Sequence, residues 1–407
     1  MSNNFELLPD ELVLKILSFA IDLPISNDDW PSIAGLSRVN SRFHRLVFDP
    51  SLWTHLQLYK LCRAPKALLS RCSFLRQLEM EYFFSADLIR FALKNCSHLK
   101  SLALIEYSTL FPLYEFMELM NECGQKIRQL TLYVEEIPED FFEKGAEFLV
   151  RLKSLNVYCR RRDFGTGLFT TLADNSVNLE SLDIKAVHIF LDVELMKKFF
   201  RLRGKQLKSL SLFNEGSFIG PMSFCERLER LELRLSQLDA SVVKDISKLK
   251  TLRVIELKAP TGECLAELFE NNKSLQKVEI KVAGPVDYLD RLLQVLGKNC
   301  PQLEDFCFYT SCPVLCDKGV EAVVSNCKKL RSLRLPRNCR ITMESLAGLD
   351  ESSTKLRDLT CEEIVGADLS ELYDLAKRID MRCLLVGKHT YTRKRSKEQF
   401  MMEKIIL

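Results

Sequence analysis

The chain has 407 residues, of which 47% are hydrophobic and 28% charged, as in ordinary globular proteins. This length exceeds what one hydrophobic core usually supports, so we expect two domains or an array of repeats. The formal net charge is only +3, which gives no general indication of a nucleic-acid or membrane partner. No stretch approaches the ~18 apolar residues of a membrane span, and no early segment has the flanks of a signal peptide, so a cytoplasmic or nuclear protein is expected.

The first predicted element is an amphipathic helix within "LLPDELVLKILSFA", residues 7–20. Pro9 suits the first turn of a helix, and Asp10 and Glu11 suit its positive end. Its apolar face is marked by Leu12, Ile16 and Phe19 and widened by Val13 and Leu17. A polar stretch follows, and then a second helical spacing with Leu36, Val39, Phe43, Leu46 and Val47.

These N-terminal residues resemble the F-box family in order and spacing over about residues 5–55. The matching positions are Leu8-Pro9-x-Glu11-Leu12, Ile16-Leu17, Leu36-Ser37-x-Val39-Asn40-x-x-Phe43 and Asp49-Pro50-x-Leu52-Trp53. Two departures are the segment from Ile21 to Ala34, which is longer than expected, and Asn40, where a cysteine is expected.

The resemblance implies that residues 1–55 form a helical F-box domain that binds a Skp-type adaptor, which in turn bridges to a cullin. The residues that would face the adaptor are Leu8, Pro9, Leu12, Ile16, Leu36, Val39 and Phe43. The alternative is that the segment only caps the first repeat, because an array of repeats needs a cap in any case.

From Trp53 onward the pattern apolar-x-x-apolar-x-apolar recurs, with first positions 21 to 28 residues apart. Leucine-rich repeats have a period of 20–29 residues. The sequence therefore predicts an α/β fold, with the F-box domain followed by a leucine-rich-repeat solenoid over residues 56–387 in about 13 to 14 repeats. A basic tail over residues 388–407 would lie beyond the last strand.

Within each repeat the alternating apolar residues predict a strand with one buried face, and the segments between predict helices. Helical spacing is clear at Leu113, Phe116, Met117 and Met120, and again at Val320, Val323, Val324 and Cys327. Asp317 is the expected N-cap of the second of these helices. In a solenoid the parallel strands would line the concave side and the helices the convex side.

The fifteen cysteines include no Cys-x-x-Cys pair, so neither a zinc site nor a disulfide framework is expected, and no cofactor is indicated. Cys96, Cys300 and Cys327 each follow an asparagine and precede a strand leucine by three residues. This placement predicts helix ends, with the asparagine in a left-handed cap and the cysteine packed beneath the turn. Together with "LRLPRNCRIT" at 333–342, it resembles the cysteine-containing leucine-rich repeats common in F-box proteins.

A substrate surface is expected on the outward side chains of the strands, just after the last buried position of each. The candidate substrate-binding residues are Tyr133, Tyr158, Lys185, Phe213, Arg234, Lys258 and Lys281. The aromatic ones are either contact anchors for a partner or simply cross-strand packing.

Three glutamates, Glu232, Glu256 and Glu279, are expected side by side on adjacent strands. They lie next to the row formed by the basic candidates Arg234, Lys258 and Lys281. The charges either balance each other on a solvated face, or the row binds an acidic or phosphorylated protein segment.

No catalytic motif is present: the sequence has no Gly-x-Ser-x-Gly, no phosphate-binding glycine loop and no metal-spaced cluster. The resemblance to F-box/leucine-rich-repeat proteins implies a non-enzymatic substrate-recognition subunit of an SCF-type ubiquitin ligase. The competing hypothesis is a non-catalytic leucine-rich-repeat scaffold or inhibitor. The basic run "TRKRSK" at 392–397 is a candidate nuclear-localisation signal.

Overall fold

A computed structural model describes residues 8–20, 25–26, 35–59, 65–70, 72–81, 85–106, 113–138, 140–160, 167–186, 193–218, 221–259, 263–282, 288–310, 314–336, 339–347, 349, 355–361, 363–378, 383–386, 389–392 and 403–404. The chain divides into two compact units, Met1–Phe190 and Leu191–Leu407. Among the described residues, no helix has both the length and the apolar character needed to cross a membrane.

The N-terminal region is helical, as the sequence predicts. Helix α1 (Asp10–Ala20) begins directly after Pro9, whose carbonyl oxygen accepts hydrogen bonds from the backbone N–H groups of Leu12 and Val13. Helix α2 (Ser41–Val47) is capped by the side chain of Asn40, which accepts a 2.8 Å hydrogen bond from the N–H of Phe43. The cap explains the asparagine at this position, because the amide oxygen satisfies an otherwise unpaired N–H of the first turn.

The rest of the first unit alternates short helices with parallel strands. The helices are α3 (Pro65–Leu69), α4 (Ala86–Asn95), α5 (Leu113–Cys123), α6 (Phe141–Lys144), α7 (Ala146–Leu149) and α8 (Gly167–Asn175). The strands are β1 (Ile25–Ser26), β2 (His55–Tyr59), β3 (Gln77–Glu81), β4 (Ser101–Glu106), β5 (Gln129–Val134), β6 (Ser154–Cys159) and β7 (Ser181–Ala186). Each of these strands pairs in parallel with the next one along the chain.

The second unit repeats the plan. Its helices are α9 (Val193–Arg203), α10 (Ala240–Ile246), α11 (Glu263–Asn271), α12 (Leu289–Asn299), α13 (Asp317–Asn326) and α14 (Leu369–Arg378). The strands of its main sheet are β8 (Ser209–Phe218), β9 (Arg230–Leu238), β10 (Val254–Ala259), β11 (Lys277–Val282), β12 (Asp305–Tyr309), β14 (Ser332–Arg334), β16 (Asp358–Cys361) and β18 (Cys383–Val386). These strands also pair in parallel, each with the next member of the sheet.

A second, three-stranded parallel sheet lies within the second unit. It contains β13 (Val314–Leu315), β15 (Cys339–Thr342) and β17 (Glu363–Val365). The middle strand is the cysteine-containing end of "LRLPRNCRIT", so this part of the motif forms a second short strand in its repeat. The predicted fold class is thereby confirmed: a small helical region precedes strand–helix repeats with parallel strands.

The apolar side chains of the repeat pattern form the hydrophobic core of each unit. Leu102, Leu130, Leu155 and Leu182 occupy matching positions on four adjacent strands, and none is more than 2% exposed. Stacking of this kind leaves few voids, and the buried apolar area provides the main stabilisation. Helix residues complete the core, since the predicted faces at Leu113, Phe116, Met117 and Met120 and at Val320, Val323 and Val324 are all buried.

Two glycines allow α12 and α13 to pack very closely. A Cβ atom on Gly297 would lie 2.6 Å from the backbone carbonyl of Ala322, and one on Gly319 would lie 2.6 Å from the backbone oxygen of Asp290. Backbone atoms cannot move aside as a flexible side chain can, so only glycine fits at these two positions.

The cysteines at helix ends are structural, as the sequence predicts, but the predicted left-handed asparagine caps are wrong. Asn95, Asn299 and Asn326 are the last helical residues, and each side-chain amide donates a 2.8 Å hydrogen bond to the carbonyl four residues earlier. The side chain thus adds a hydrogen bond to the last turn, while the backbone of the asparagine stays helical.

The thiols that follow these asparagines point towards the preceding repeat. The Sγ atom of Cys327 lies 3.3 Å from the carbonyl oxygen of Cys300. In the same way, the Sγ atom of Cys300 lies 3.6 Å from the carbonyl oxygen of Asn272. Burial raises the pKa of Cys300 and of Cys327 to about 12, so both thiols stay protonated. They act as small buried groups that contact the neighbouring repeat.

The predicted N-cap at Asp317 is also wrong. Cys316 occupies the cap position without a side-chain hydrogen bond, and Asp317 is the first helical residue. Its carboxylate instead accepts a 2.6 Å hydrogen bond from the backbone N–H of Thr342. The aspartate therefore joins α13 to the strand of the following repeat.

The sheet of the second unit continues past the predicted last strand. Strand β19 (His389–Thr392) pairs antiparallel with Cys383–Val386, and β20 (Glu403–Lys404) pairs antiparallel with β19. His389–Thr392 is thus a strand of this sheet, between β18 and β20. The basic residues of "TRKRSK" after Thr392 lie outside the described residues, as do the flanks of Glu403–Lys404 within "FMMEKIIL".

Candidate functional site

Helix α1 has two apolar sides that differ in exposure. Val13 and Leu17 are 0% and 3% exposed, whereas Leu12 and Ile16, one residue earlier in each case, are 47% and 40% exposed. The sequence places all four on one widened face, but the structure separates them into an inward pair and an outward pair. Leu12 and Ile16 are four residues apart and share one side of the helix.

The second helical segment shows the same division. Val39, just before α2, is 61% exposed, while Leu46 and Val47 at the end of the helix are buried. Of the other predicted adaptor-facing residues, Pro9 is exposed, and Leu8, Leu36 and Phe43 are half-buried. We refer to Leu12, Ile16 and Val39 below as the exposed N-terminal residues.

An ion-pair cluster holds the start of α1 against α2. The Asp10 carboxylate contacts the Arg42 guanidinium at 2.8 Å and that of Arg45 at 2.5 Å, and Arg42 also donates to the backbone oxygen of Leu8. The hydrogen bond from Arg42, aided by Arg45, lowers the pKa of Asp10. This cluster places Leu8 beside the second helix, and sequence spacing alone gave little signal for it.

The "DPSLW" segment joins the helical region to the first repeat. The Asp49 side chain accepts a 2.9 Å hydrogen bond from the N–H of Ser51 and caps the short 3-10 helix Pro50–Leu52. Trp53 is 2% exposed, and its indole N–H donates to the carbonyl of Val47 at 3.0 Å. Strand β2 begins two residues later, so the buried Trp53 leads directly into the first repeat strand.

In the first unit, the structure brings three predicted substrate residues together. The rings of Tyr133 and Tyr158 stack at 5.1 Å, and Lys185 lies 4.9 Å above the Tyr158 ring. The Tyr158 hydroxyl donates to Asp183 at 2.7 Å, and the Lys185 ammonium lies 3.3 Å from the same carboxylate oxygen. These side chains form one half-buried cluster, so cross-strand packing accounts for part of their placement.

In the second unit, the predicted glutamate ladder is confirmed. Glu256 lies directly opposite Glu232 on one side and opposite Glu279 on the other. The guanidinium of Arg234 contacts both Glu232, at 3.2 Å, and Glu256. This shared contact offsets the repulsion between neighbouring carboxylates.

The row that contains Arg234 has further members that are accessible to solvent. Lys258, Lys281 and Tyr309 lie opposite one another on three adjacent strands, and Phe213 lies opposite Arg234. Phe213 and Tyr309 are 39% and 43% exposed. Lys258 and Lys281 form no ion pair with any residue that the structure describes. A second basic row, which the charge pattern alone did not single out, occupies the position after the first leucine or isoleucine of four repeats in the first unit.

Comparison with known proteins identifies the N-terminal segment. Residues 5–59 match the family model described as F-box-like. No curated protein sequence matches the chain.

Two solved structures align with much of the chain at low sequence identity. The crystal structure of the Rad7 and Elc1 complex in yeast aligns with 13% identity and a TM-score of 0.48, covering 88% of this chain and 90% of that one. The TLR13–ssRNA13 complex aligns with 14% identity and a TM-score of 0.46, covering 80% of this chain and 54% of that one. The predicted resemblance is confirmed: the chain carries an F-box-like domain at residues 5–59, followed by strand–helix repeats.

Proposed function

We propose that this chain is the substrate-recognition subunit of an SCF-type (Skp–cullin–F-box) E3 ubiquitin ligase. Its F-box-like domain binds a Skp-type adaptor and, through it, a cullin. The repeats bind the protein substrate, so that ubiquitin transfer takes place at high local concentration. The chain itself is not an enzyme in this proposal, and the transfer chemistry belongs to other subunits.

The observation that carries the proposal is the exposure of Leu12, Ile16 and Val39 within the F-box-like match. A segment that served only as a cap would turn its large apolar residues inward, as Val13 and Leu17 are turned. Burying one such side chain against a partner contributes about 1.5–3 kcal/mol. The exposed N-terminal residues are therefore suited to a helical adaptor surface.

Leu8, Pro9, Leu36 and Phe43 complete the adaptor surface in this proposal. The substrate would contact the outward side chains of the strands, with aromatic anchors beside cations. The proposed substrate-contacting residues are Tyr133, Tyr158, Lys185, Phe213, Arg234, Lys258 and Lys281. Work in the cytoplasm or the nucleus fits the proposal equally.

The competing function is a leucine-rich-repeat scaffold whose F-box-like segment only caps the repeats. One observation favours it in part, because Leu52 and Trp53 are buried and β1 pairs with the first repeat strand. Capping and docking use different side chains, however, so the same segment can do both.

The test is assembly with a purified Skp-type adaptor and cullin. The full chain should form a complex that survives size-exclusion chromatography, and Leu8→Ala/Pro9→Ala should abolish it. Leu202→Ala is a matched control, because Leu202 is 54% exposed on a helix of the second unit. A wild-type chain that elutes alone, or a double variant that loses stability and keeps the adaptor, would favour the scaffold.

A further inference from the structure

A basic row lies in the first unit, outside the residues assigned above. The residue after the first leucine or isoleucine of each repeat pattern is Arg76, Lys100, Arg128 and then Lys153 in four consecutive repeats. Backbone hydrogen bonds join these residues directly: the N–H of Lys100 donates to Arg76, that of Arg128 to Lys100 and that of Lys153 to Arg128, at 2.7 to 2.9 Å. We call these four residues the basic row.

The row lines a surface groove of about 650 Å³, to which the turn before β5 adds a fifth cation, Lys126. No aspartate or glutamate is among the residues that line this groove. Arg76, Lys100, Lys126 and Arg128 form no ion pair with any residue that the structure describes. Only the last member, Lys153, is paired, at 3.2 Å from Glu180.

Such an arrangement is unfavourable without a counter-charge. The four residues immediately precede strands that are ~4.8 Å apart, and like charges at that spacing repel one another. The guanidinium of Arg128 donates to the carbonyl oxygens of Gln125 and Ile127, at 2.7 and 2.9 Å, which fixes its position without neutralising it. An anion in the groove would remove this repulsion.

The second unit shows that the repeat pattern itself does not demand a basic row. At the same repeat position Glu229 is followed by Arg253, and Glu304 by Arg331, again joined through backbone hydrogen bonds. These residues pair with each other, Arg253 with Glu229 at 3.9 Å and Arg331 with Glu304 at 3.6 Å. The second unit thus has two opposite-charge pairs at this position, whereas in the first unit three consecutive cations precede the pair of Lys153 with Glu180.

We infer that the groove of the first unit binds an anionic segment of a protein substrate, one that carries carboxylates or phosphates. The inference rests on the proposed function, since it names the class of substrate segment that the receptor would hold. Arginine and lysine bind carboxylate and phosphate oxygens through charge-assisted hydrogen bonds. The groove also offers neutral donors from Gln77, Ser97, Ser101 and Gln129.

An extended peptide suits this groove better than a nucleic acid does. Arg76 and Arg128 lie two strand spacings apart, roughly 10 Å, which spans about three residues of extended chain. Single-stranded nucleic acids are held by successive aromatic platforms along a basic channel. No aromatic side chain other than that of His98 lines this groove.

The test is peptide binding to the purified full chain, measured by fluorescence anisotropy at 0.15 M salt. The probes are 12-residue Gly/Ser peptides in which three alternate positions carry serine, glutamate or phosphoserine, and a 12-nucleotide oligo-dT. The charged peptides should bind, the serine peptide should not, and Arg76→Glu/Lys100→Glu should weaken binding at least about tenfold. The glutamate and phosphoserine arms distinguish a carboxylate source from a phosphate source.

The matched control is Arg253→Glu/Arg331→Glu, which makes the same charge change at the same repeat position of the second unit. It should alter peptide affinity by less than about twofold, because neither Arg253 nor Arg331 lines the groove. Equal losses in both variants, no binding above the serine peptide, or tighter binding of oligo-dT would overturn the inference. Arg76→Gln/Lys100→Gln replaces the reversal if that variant melts early.

Adaptor assembly of the same variants separates this inference from the proposed function. Arg76→Glu/Lys100→Glu should still form the adaptor complex. If the chain assembles with the adaptor but does not bind the peptides, only the binding role of the groove is ruled out. If the wild-type chain does not assemble with the adaptor, the proposed function is ruled out.

Discussion

The N-terminal helices and the repeats use their large apolar side chains in opposite ways. In the repeats the patterned residues are almost completely buried, as with Leu130 at 2% and Leu257 at 1% exposure. In the F-box-like region Leu12 and Val39 are 47% and 61% exposed, although the sequence marks them as apolar positions just as clearly. An apolar pattern therefore identifies a surface to be covered, and only the structure shows whether the chain covers it itself.

The largest expected effect is on a buried repeat position. Leu130→Ala should lower the free energy of unfolding by about 2–5 kcal/mol, because it removes buried methyl groups and leaves a cavity. Leu12→Ala should change it by less than ~0.5 kcal/mol, as is usual for exposed positions. Urea denaturation of the two variants measures the difference, and equal losses would show that the N-terminal residue belongs to a core.

A smaller effect is expected where two helices of the second unit meet. Gly297→Ala should cost about 1–3 kcal/mol, because the new Cβ would overlap the backbone of Ala322. Gly35→Ala, in the N-terminal region, is the matched control, since no atom lies within 4 Å of its added Cβ. Thermal melting should show a lower midpoint for the first variant and an unchanged or higher midpoint for the second.

The buried cysteines of the repeats should make the stability of the fold depend on pH in the alkaline range. Burial raises the pKa of Cys72 and of Cys225 to about 12, from the ordinary thiol value of 9.0. Between these values the unfolded chain has lost the thiol proton and the folded chain retains it, so stability should fall as the pH rises from 9 to 12. Cys72→Ala/Cys225→Ala should flatten this slope in denaturation curves recorded at several pH values. An unchanged slope would exclude these thiols as its source.

The smallest effect is expected at the ion pairs of the N-terminal region. Asp10 has a lowered pKa, so its contribution is present above the unfolded value of 3.8 and is lost as the pH falls through the folded value. Asp10→Asn should therefore give only a slight decrease of the melting midpoint at pH 7, and no difference from wild type in acid. A large decrease at pH 7 would mean that the contacts of Arg42 with Asp10 and Leu8 determine the stability of the helices.

Much of this architecture could be predicted from the sequence. The Leu-x-x-Leu-x-Leu spacing gave the strands and their buried residues, and the Leu8-Pro9 and Asp49-Pro50 motifs gave the F-box-like region. The errors concern polar groups with more than one available partner. Asn95 could cap a helix by its backbone or by its side chain, and Asp317 could bind its own helix or the neighbouring repeat.

The adaptor surface and the basic row could be predicted only in part, because the sequence does not specify which groups meet in the fold. Exposure of Leu12 but not of Val13 depends on which side of α1 meets the rest of the domain, and helical spacing does not specify that side. The basic row was visible in the sequence, but its meaning required the backbone hydrogen bonds that place its members side by side, immediately before adjacent strands. Its contrast with the paired charges of the second unit came only from side-chain distances.

The most direct test of the account compares the two sides of α1 in one titration. Isothermal titration calorimetry with a purified Skp-type adaptor would be run on Leu12→Ser/Ile16→Ser and on Val13→Ala/Leu17→Ala, each with a melting curve. We expect the outward pair to lose affinity about a hundredfold or more with an unchanged melting midpoint. The inward pair should melt earlier and still bind the adaptor below its midpoint. An outward variant that bound the adaptor like wild type and melted early would contradict the proposal, because Leu12 and Ile16 would then belong to a cap.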